Sequence, residues 1–527
     1  MPIGTADQYK ERLKNMKHNV YIDGKTPGRE EDFNSSGIYV IAQTYDKCND
    51  PEYEDVCTAT SHLTGKKISR WTHIHRSQDD LLKKQQMTRL MCHCVGGCTQ
   101  RCMGTDALNA LEVVTYDCDK ANGTHYHERL QNFILRFQEE DLVANCAQTD
   151  VKGVRGVRPH EQPDPDQYLR IVETDADGIG LDGKPCKGII VRGAKVCNSA
   201  APYVDEIIAL PSRFMTAKDT AYAVAFALPG DWPGIKLMGL PGKRHKRKHI
   251  DAPVAHIGDV ESLTIFDDVF VPNERVYLNG FEHPDVTQYA GYLALMFAHY
   301  HRHSYTGCKT AVSECIAATC ALVADVNGIS KYDHVREKLS NIIGTAELVF
   351  AAGEASAMHA VEFPNGSYVP DEILTNCGRR LAGQYIYHEY EILADLAGGI
   401  SASLPTEESF YDPETAELCN KYIMRNPKYT AEETHRVLRM VENKLCDEFE
   451  GAQMVAGVHG GGSPLMETIT LMGRYDTTPL MDIAKYLAGF DGAKMPKYVR
   501  PTATPRAMLD KFKKTQTAAA EAPAEKK

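Results

Sequence analysis

The sequence lacks three features that would place it in a special class of protein. Residues 1–24 contain no apolar segment of the kind found in a signal peptide, and no apolar run is long enough to cross a bilayer. The most apolar stretch, near residues 315–326, is too short for that purpose. An excess of positive charge is also missing, because 59 basic residues stand against 71 acidic ones, a net charge of −12. We therefore expect a cytoplasmic protein that neither inserts into a membrane nor binds nucleic acid.

What is present is typical of a large globular protein. The chain has 527 residues, of which 43% are apolar and 25% charged, and this length predicts two or three domains. It contains 16 cysteines. In a reducing compartment these are expected to be free thiols or metal ligands rather than disulfides.

The pattern of apolar residues changes twice along the chain. Residues 1–145 show apolar residues at helical spacing, notably at 77–93, where Ser77 is a plausible N-cap, and at 128–148. The next part, to about residue 282, predicts short strands with turns at "DADG" and "LDGKP"; the strands are 168–174, 188–196, 205–210, 221–228 and 262–272.

Long helical patterns return in the last part of the chain. They are predicted at roughly 285–325, 330–360, 370–399 and 430–455. The residues from 506 to 527 are poor in bulky apolar side chains, and we expect them to be disordered. No repeat of fixed period is evident. The predicted order is therefore helical, then β, then helical.

The stretch "MCHCVGGCTQRC", residues 91–102, contains four cysteines. If a helix continues through it, Cys98 and Cys102 stand at i and i+4 on one face, and Cys94 joins them unless Gly96 and the next glycine break the helix. A local zinc site would need a second closely spaced pair, and His93 offers poor spacing. A complete metal site therefore needs ligands from elsewhere.

A second group of reactive side chains lies in "AHYHRHSYTGCKTAVSECIAATC", residues 298–320. His301 and Cys308 are seven residues apart, nearly two helical turns, and so lie in phase. Tyr305 and Lys309 follow at successive turns on the same side. Such spacing is also typical of a buried core helix, and on the pattern alone both interpretations stay open.

Three loops offer space for a ligand. "TDVKGVRG", residues 149–156, combines glycines with basic residues where helical texture gives way to strands, and "RGAKVCNS", residues 192–199, ends a strand with small polar groups. "VHGGGSP", residues 458–464, allows a close backbone approach. The basic run 243–249 is either a solvated loop or a site for an anionic group such as the nucleotide of CoA.

Together these segments resemble the 4-hydroxybutyryl-CoA dehydratase (vinylacetyl-CoA isomerase) family. This family belongs to the flavoproteins with the acyl-CoA dehydrogenase fold, as does the oxygenase component of 4-hydroxyphenylacetate 3-monooxygenase. The resemblance covers about residues 5–490 and is carried by "CTQRC" (98–102), "TDVKGVRG" (149–156), "VRGAK" (191–195), "ESLTIFDDVFVPNER" (261–275), "YHRHSYTGCK" (300–309), "ADLAGG" (394–399) and "HGGGSP" (459–464).

The resemblance implies an α+β, mainly α fold and an assembly. The expected parts are an N-terminal helical domain (1–145), a central antiparallel β-domain (146–282), a C-terminal four-helix bundle (283–505) and the tail (506–527). The family assembles as a homotetramer, a dimer of dimers, and acts on an acyl-CoA.

It also implies FAD and a 4Fe-4S cluster as cofactors. The cluster ligands carried over are Cys98, Cys102, His301 and Cys308, and Cys92 and Cys94 are bystanders. The residues implied for FAD are Thr149, Lys152, Gly153, Arg155, Gly156, Asn198 and Ser199. The residues implied for catalysis are His301, Glu261, Tyr305 and Lys309.

The implied reaction is the radical dehydration of 4-hydroxybutyryl-CoA to crotonyl-CoA, with isomerisation of vinylacetyl-CoA. The flavin removes an electron so that the unactivated C3–H bond becomes acidic, and the cluster is a Lewis acid for the departing hydroxyl. His301 is the implied base for one proton transfer. One departure stands out: the family has a glutamate three residues before the histidine of "HGGGSP", and this sequence has Ala456.

Two other functions compete with this hypothesis. One is a monooxygenase that uses FADH2 to hydroxylate a phenol such as 4-hydroxyphenylacetate; those relatives lack the cysteine set, which favours the dehydratase. The other is a zinc-stabilised, anion-binding regulatory protein built on residues 91–102 and 243–249. The net acidity and the length of the chain argue against it.

Overall fold

The computed structural model describes residues 3–242 and 247–495. The predicted tail at 506–527 and residues 243–246 of the basic run lie outside the described residues. The helices of the described ranges are α1 (Ala6–Lys14), α2 (Ser35–Cys48), α3 (Glu54–Cys57), α4 (Gln78–Val95), α5 (Cys102–Asn122), α6 (Tyr126–Glu139), α7 (Pro253–His256), α8 (Tyr289–Val326), α9 (Asp333–Met358), α10 (Glu372–Ala397), α11 (Ala416–Ile423), α12 (Ala431–Cys446), α13 (Glu448–His459), α14 (Pro464–Arg474) and α15 (Thr478–Leu487).

The strands are concentrated between α6 and α8. They are β1 (Val20–Tyr21), β2 (Thr58–Thr60), β3 (Lys67–Ser69), β4 (Ala144–Ala147), β5 (Arg170–Ile179), β6 (Pro185–Lys195), β7 (Glu206–Ala209), β8 (Val224–Pro229), β9 (Ile235–Pro241), β10 (Val260–Pro272), β11 (Val276–Asn279), β12 (Val361–Glu362) and β13 (Tyr368–Val369). The fold is mainly helical with sheets, and all five predicted strands are present, although their ends differ by several residues.

Two larger sheets make up most of the β structure of the described residues, and β2-β3 and β12-β13 form two small two-stranded sheets. The larger has the order β1-β9-β10-β6-β5, and the smaller has the order β11-β8-β7-β4. The predicted strands pair antiparallel with one another, as expected, and two further strands add parallel pairs, β1 with β9 and β4 with β7. Both parallel pairs join strands that are distant in sequence, as a parallel pair requires a long connection.

The "DADG" segment is part of a strand and not the turn that its composition predicts. Asp175 has a left-handed backbone (φ 54°), and the pairing of β5 with β6 shifts between Glu173 and Ala176, which is a β-bulge. The extra residue bends the strand but does not end it. The real turn follows at "LDGKP", where Gly183 has a φ of 78°.

Two predicted helices are shorter than expected. Helix α6 ends at Glu139, and the chain then turns at Asp141 (φ 47°) and enters β4, so 128–148 is not one helix. The predicted helix at 430–455 is divided because Asp447 is extended (φ −81°, ψ 146°) between α12 and α13. The start of α4 is as predicted, since the Ser77 side chain accepts a hydrogen bond of 3.0 Å from the Asp80 N–H.

Helix α8 is the central element of the helical bundle. It packs against α4, α5, α9 and α10, and most of its residues are buried. By length and composition the stretch 284–326 could cross a membrane, but 72% of its most apolar 18-residue window is buried inside the protein. Its apolar character is therefore that of a core helix, and it positions one side of the site described next.

Candidate functional site

The cysteine-rich segment is the connection between α4 and α5. Helix α4 ends at Val95 because Gly96 is left-handed (φ 78°), and α5 begins only at Cys102. Between them Gln100 also has a positive φ of 59°, so Cys98 lies outside any helix. The condition that a helix continues through Cys98 and Cys102 is therefore not met, and a loop sets their spacing.

Helix α8 carries the other two implied ligands. The ligand atoms of His301 lie within 4.8 Å of those of Cys102 and Asp106. The Cys308 thiol makes a hydrogen bond with Cys98. The structure thus brings two pairs of the implied ligands together, Cys102 with His301 and Cys98 with Cys308, and the charges of Cys98 and Cys308 act on Cys102.

Of these thiols, Cys102 and Cys308 are buried and Cys98 is partly exposed. The pKa of Cys98 is raised well above its usual value, first by the hydrogen bond with Cys308 and then by burial. Burial, followed by the charge of Asp106, raises the pKa of Cys102. Three soft sulfur donors and an imidazole fit an iron–sulfur cluster, whose binding stabilises the thiolate form.

The two remaining cysteines of the segment behave differently. Cys92 is fully buried and makes a hydrogen bond with Cys308, so it is closer to the site than its implied bystander role suggests. Cys94 is half-buried, and its charged neighbour is Lys47. Cys94 therefore lies apart from the group, as expected once α4 ends at Val95.

Asp106 is a site residue that sequence reasoning missed. Its Oδ2 atom is 2.9 Å from Nδ1 of His301, and its side chain also accepts hydrogen bonds from Ser304 and from Lys84. Burial raises the pKa of Asp106, but the Lys84 ammonium and the His301 hydrogen bond outweigh it and hold that pKa below its usual value. Its position one helical turn after Cys102 was the signal that could have identified it.

Tyr305 lies against the position at which the family glutamate is replaced. Its hydroxyl donates to the carbonyl oxygens of Ala456 (3.0 Å) and Gly457 (2.7 Å). The Arg379 guanidinium stacks on the ring, 4.4 Å from its centroid. A Cβ at Gly460 would lie 2.7 Å from the Ala456 oxygen, so the close approach of the "HGGGSP" loop requires glycine there.

Lys309 is a buried amine beside the thiols. Burial lowers its pKa, although the neighbouring charges of Cys308, Cys98 and Glu389 oppose this effect. Its Nζ atom is 5.7 Å from the centroid of the Tyr305 ring. The amine is thus placed to face a ligand bound between the tyrosine and the thiols.

Glu389, on α10, is a second acid that sequence reasoning missed. The Ser313 hydroxyl lies 2.8 and 2.9 Å from its two carboxyl oxygens, and burial raises its pKa to about 7. Within its sequence it is one acid in a regular helix, with no motif around it, so no signal marked it. It supplies a buried carboxyl near Lys309 in a chain that lacks one at Ala456.

A buried network holds the loop that carries Cys98. The Gln453 side chain accepts a hydrogen bond of 3.1 Å from the Cys98 N–H and donates one of 2.9 Å to Glu450. The Lys444 ammonium contacts Glu450 at 2.9 Å and the Gly96 carbonyl oxygen at 2.5 Å. Helices α12 and α13 therefore fix the loop to the bundle.

The segment implied for FAD is an irregular loop after β4. Lys152 (φ 75°) and Gly153 (φ 45°) both have left-handed backbones, and a Cβ at Gly153 would lie 2.5 Å from the Gln162 side chain. The Thr149 carbonyl oxygen accepts a hydrogen bond of 2.8 Å from Val196. This bond joins the loop to the end of β6.

The basic residues of this loop face the other implied flavin segment. Burial lowers the pKa of Lys152. Burial and then the charge of Glu261 raise the pKa of Cys197, whereas Lys152 and Arg155 act on it in the opposite direction. Arg155 and Gly156 are both exposed, and nothing lies within 4 Å of a Cβ at Gly156. The structure therefore brings the two segments together around an open surface.

The side-chain amide of Asn198 lies next to this surface and is not paired with the protein. Its side chain is 1% exposed, yet neither amide atom has a hydrogen-bond partner among the described residues. The neighbouring Ser199 hydroxyl donates to Glu261, whose pKa is raised to about 7 by burial and then by the charge of Asp259. An orphaned buried amide beside an open loop fits a planar, hydrogen-bonding ligand such as a flavin.

One residue of the cysteine loop connects the two parts of the site. Gln100 accepts a hydrogen bond of 2.5 Å from the Tyr203 hydroxyl and donates one of 2.9 Å to Asp259. Asp259 precedes β10, which carries Glu261. These hydrogen bonds therefore link the cysteine loop to the segment that precedes Glu261.

The architecture defines a class, a large and mainly helical protein with two β-sheets of four and five strands. The particular family follows from two family models, which cover most of the chain. The N-terminal domain of 4-hydroxyphenylacetate 3-hydroxylase matches residues 5–278, and its C-terminal domain matches residues 290–489. The chain belongs to this family.

Two kinds of curated relative match almost the whole chain. The 4-hydroxybutyryl-CoA dehydratase/vinylacetyl-CoA-Δ-isomerase of Clostridium aminobutyricum is 35% identical over 92% of this chain and 99% of its own. The oxygenase component of 4-hydroxyphenylacetate 3-monooxygenase from Thermus thermophilus is 27% identical over 90% of this chain and 95% of its own. Sequence similarity is thus greater to the dehydratase.

Solved structures give the same order. An oxygen-tolerant archaeal 4-hydroxybutyryl-CoA dehydratase from N. maritimus superimposes with a TM-score of 0.85 at 30% identity, covering 97% of this chain and 99% of that one. The oxygenase component of 4-hydroxyphenylacetate 3-monooxygenase complexed with FAD has a TM-score of 0.78 at 24% identity, covering 93% and 100%, and shows the common fold.

Proposed function

We propose that the protein is a 4-hydroxybutyryl-CoA dehydratase, a hydro-lyase that forms crotonyl-CoA and also isomerises vinylacetyl-CoA. The observation that supports the proposal is a group of neighbouring donors, in which Cys102 lies beside His301, Cys98 contacts Cys308, and the charges of Cys98 and Cys308 act on Cys102. The greater similarity to the dehydratase than to the monooxygenases supports it.

The proposed cofactors are a 4Fe-4S cluster and FAD. The cluster would be held by Cys98, Cys102, Cys308 and His301, and FAD would lie against the loops 149–156 and 197–199, where the Asn198 amide is unpaired. When bound, the two groups supply a Lewis acid for the substrate hydroxyl and a one-electron acceptor. The lining residues then have to bind, orient and move protons.

The protonation states of the lining residues suit these tasks. Glu261 has a pKa of about 7, so near neutral pH it can hold or release a proton beside the flavin segments. His301 is proposed both as a cluster ligand and, through the same ring nitrogen when that nitrogen is not bound, as the base at the substrate carbon that loses its proton. Tyr305 and Lys309 face the same space and would orient the hydroxyl that leaves.

The alanine at position 456, where the family has a glutamate, affects which substrate is expected. The site keeps a buried acid near Lys309, because the carboxyl group of Glu389 is neutral or charged near pH 7 according to small changes around it. We propose that 4-hydroxybutyryl-CoA remains the substrate. Turnover of 4-hydroxybutyryl-CoA by this chain, which has alanine at position 456, tests that proposal directly.

The proposed assembly is a cytoplasmic homotetramer built from three-domain subunits divided at about residues 145 and 282. Large apolar side chains on the C-terminal helices are exposed in the single chain, which favours burial against another copy. They are Leu465, Met466, Ile469, Met472, Leu480, Met481, Tyr486, Leu487 and Phe490.

The test compares two reactions of the purified protein. Under anaerobic conditions wild type should convert 4-hydroxybutyryl-CoA and vinylacetyl-CoA to crotonyl-CoA. A Cys308→Ala change should abolish both conversions, whereas Cys320→Ala, at another buried cysteine of α8, should preserve them. Hydroxylation of 4-hydroxyphenylacetate with reduced flavin and oxygen, unaffected by Cys308→Ala, would instead support the monooxygenase.

A further inference from the structure

The imidazole of His301 is held on two sides. Its ring stacks on Phe297 with centroids 5.3 Å apart and an interplanar angle of 11°. Its Nδ1 atom is 2.9 Å from Oδ2 of Asp106, and a Cβ at Gly461 would lie 3.6 Å from its Cδ2 atom. The plane of the ring and the direction of its Nδ1 atom are therefore both determined by the protein.

The partner of Nδ1 can only accept a hydrogen bond. Asp106 is fully buried, and Lys84, itself 1% exposed, forms an ion pair with its Oδ1 atom. The Ser304 hydroxyl is 3.1 Å from Oδ1 and 3.0 Å from Oδ2. A carboxylate held in this way has no proton to donate, so the shared hydrogen must be on Nδ1 of His301.

We propose that Asp106, held in place by Lys84, is a positioning residue that fixes the tautomer and orientation of His301, so that Nε2 is the free nitrogen at the candidate cluster site. Lys84 has a separate part in this arrangement. Its ammonium also donates to the Tyr300 carbonyl oxygen at 3.1 Å, which anchors the pair to the turn of α8 that carries His301. Such partners of metal-binding histidines orient the ring and select the nitrogen that binds.

The alternative is that Asp106 and Lys84 form only a structural ion pair. Breaking a buried pair destabilises a protein whatever its other role, so loss of folding alone would not distinguish the two. The test therefore needs a change that keeps the shape of the side chain and a measurement that reports on the nitrogen. Asp106→Asn provides the first, because an amide can present either a donor or an acceptor to Nδ1.

The experiment uses the anaerobically purified protein and rests on the proposed cluster. Pulsed EPR of the reduced protein measures the nitrogen coupling of the imidazole, and steady-state assays with 4-hydroxybutyryl-CoA give kcat and KM. For Asp106→Asn we expect an altered or lost nitrogen coupling, and kcat lower by roughly 10–100-fold with KM within about twofold. Asp106→Glu should restore part of the coupling.

Ser304→Ala is the matched control, because it removes a hydrogen bond from Asp106 without contacting His301, and it should keep the wild-type coupling. If Asp106→Asn binds less iron than wild type, Lys84→Met/Asp106→Asn removes the unpaired ammonium and is measured instead. A wild-type coupling and kcat in a folded Asp106→Asn variant would overturn the proposal. A wild type that carries a cluster but does not dehydrate the thioester would refute the proposed function and leave the coupling test intact.

Discussion

The attachment of the cysteine loop to α12 and α13 gives a prediction that can be worked out from the structure. Glu450 is fully buried and accepts hydrogen bonds from Lys444, Gln453 and Tyr390. Through the first two it holds the Gly96 carbonyl and the Cys98 N–H. We predict that Glu450→Gln weakens the closed loop and, with it, the retention of the metal.

The expected size follows from the burial of the pair. Lys444 is 3% exposed, and removing the carboxylate leaves its ammonium without a counter-charge, which costs about 3–5 kcal/mol. Each 1.4 kcal/mol is a factor of ten, so the open form of the loop should become at least about a hundredfold more populated. An exposed ion pair, by contrast, contributes about 0–1 kcal/mol.

The assay is the rate at which a chelator removes iron from the anaerobic protein. Glu450→Gln should lose iron about a hundredfold faster than wild type while its flavin content is retained. Lys428→Met is the control, because the Lys428 side chain is 64% exposed in its pair with Asp325, and its rate should change less than about fivefold. Equal rates for Glu450→Gln and the control would refute the argument that this network holds the loop.

Three further predictions concern the site. The pKa of Glu261 is raised from 4.5 to about 7, so its contribution to stability is complete below about pH 4.5 and is lost as the pH rises through 7. Glu261→Gln should therefore flatten the dependence of the free energy of unfolding on pH between these values. Asn198→Ala should weaken FAD binding by about 2–10-fold in a fluorescence titration, with an unchanged denaturation midpoint, since only the unpaired amide is lost. Cys308→Ser should reduce bound iron severely, whereas Cys92→Ser should retain it; equal iron loss in both variants would make Cys92 a ligand.

Some of the site could be predicted from the sequence because it follows a regular period. His301 and Cys308 are seven residues apart in a helix that is intact from Tyr289 to Val326, so their common face followed from the helical repeat alone. The strands were recognised for a similar reason, through their β-branched and aromatic residues. Regular elements are thus the predictable part of this fold.

The parts of the fold and site that could not be predicted depend on loops and on contacts between distant segments. Cys98 and Cys102 were expected on one helix, but two left-handed residues, Gly96 and Gln100, interrupt it. In the same way, the left-handed backbone of Asp175 forms a β-bulge where the composition predicts a turn. The glycines at 96 and 97 gave a local signal for the first break, but the positive φ of Gln100 and the bulge at Asp175 have none, because they depend on the neighbouring elements.

Buried polar partners were the least predictable feature. Asp106, Lys84 and Glu389 lie in ordinary helical sequence, and only the packing of α4, α5, α8 and α10 shows that they are buried beside the site. Their importance arises from desolvation, which a single sequence does not display.

The central claim is that this fold holds an iron–sulfur cluster and a flavin in one site. The most direct measurement is the iron, sulfide and flavin content of the protein purified without oxygen. We predict a brown protein with about four iron atoms and one flavin per chain. A yellow protein that remains free of iron after anaerobic reconstitution would contradict it.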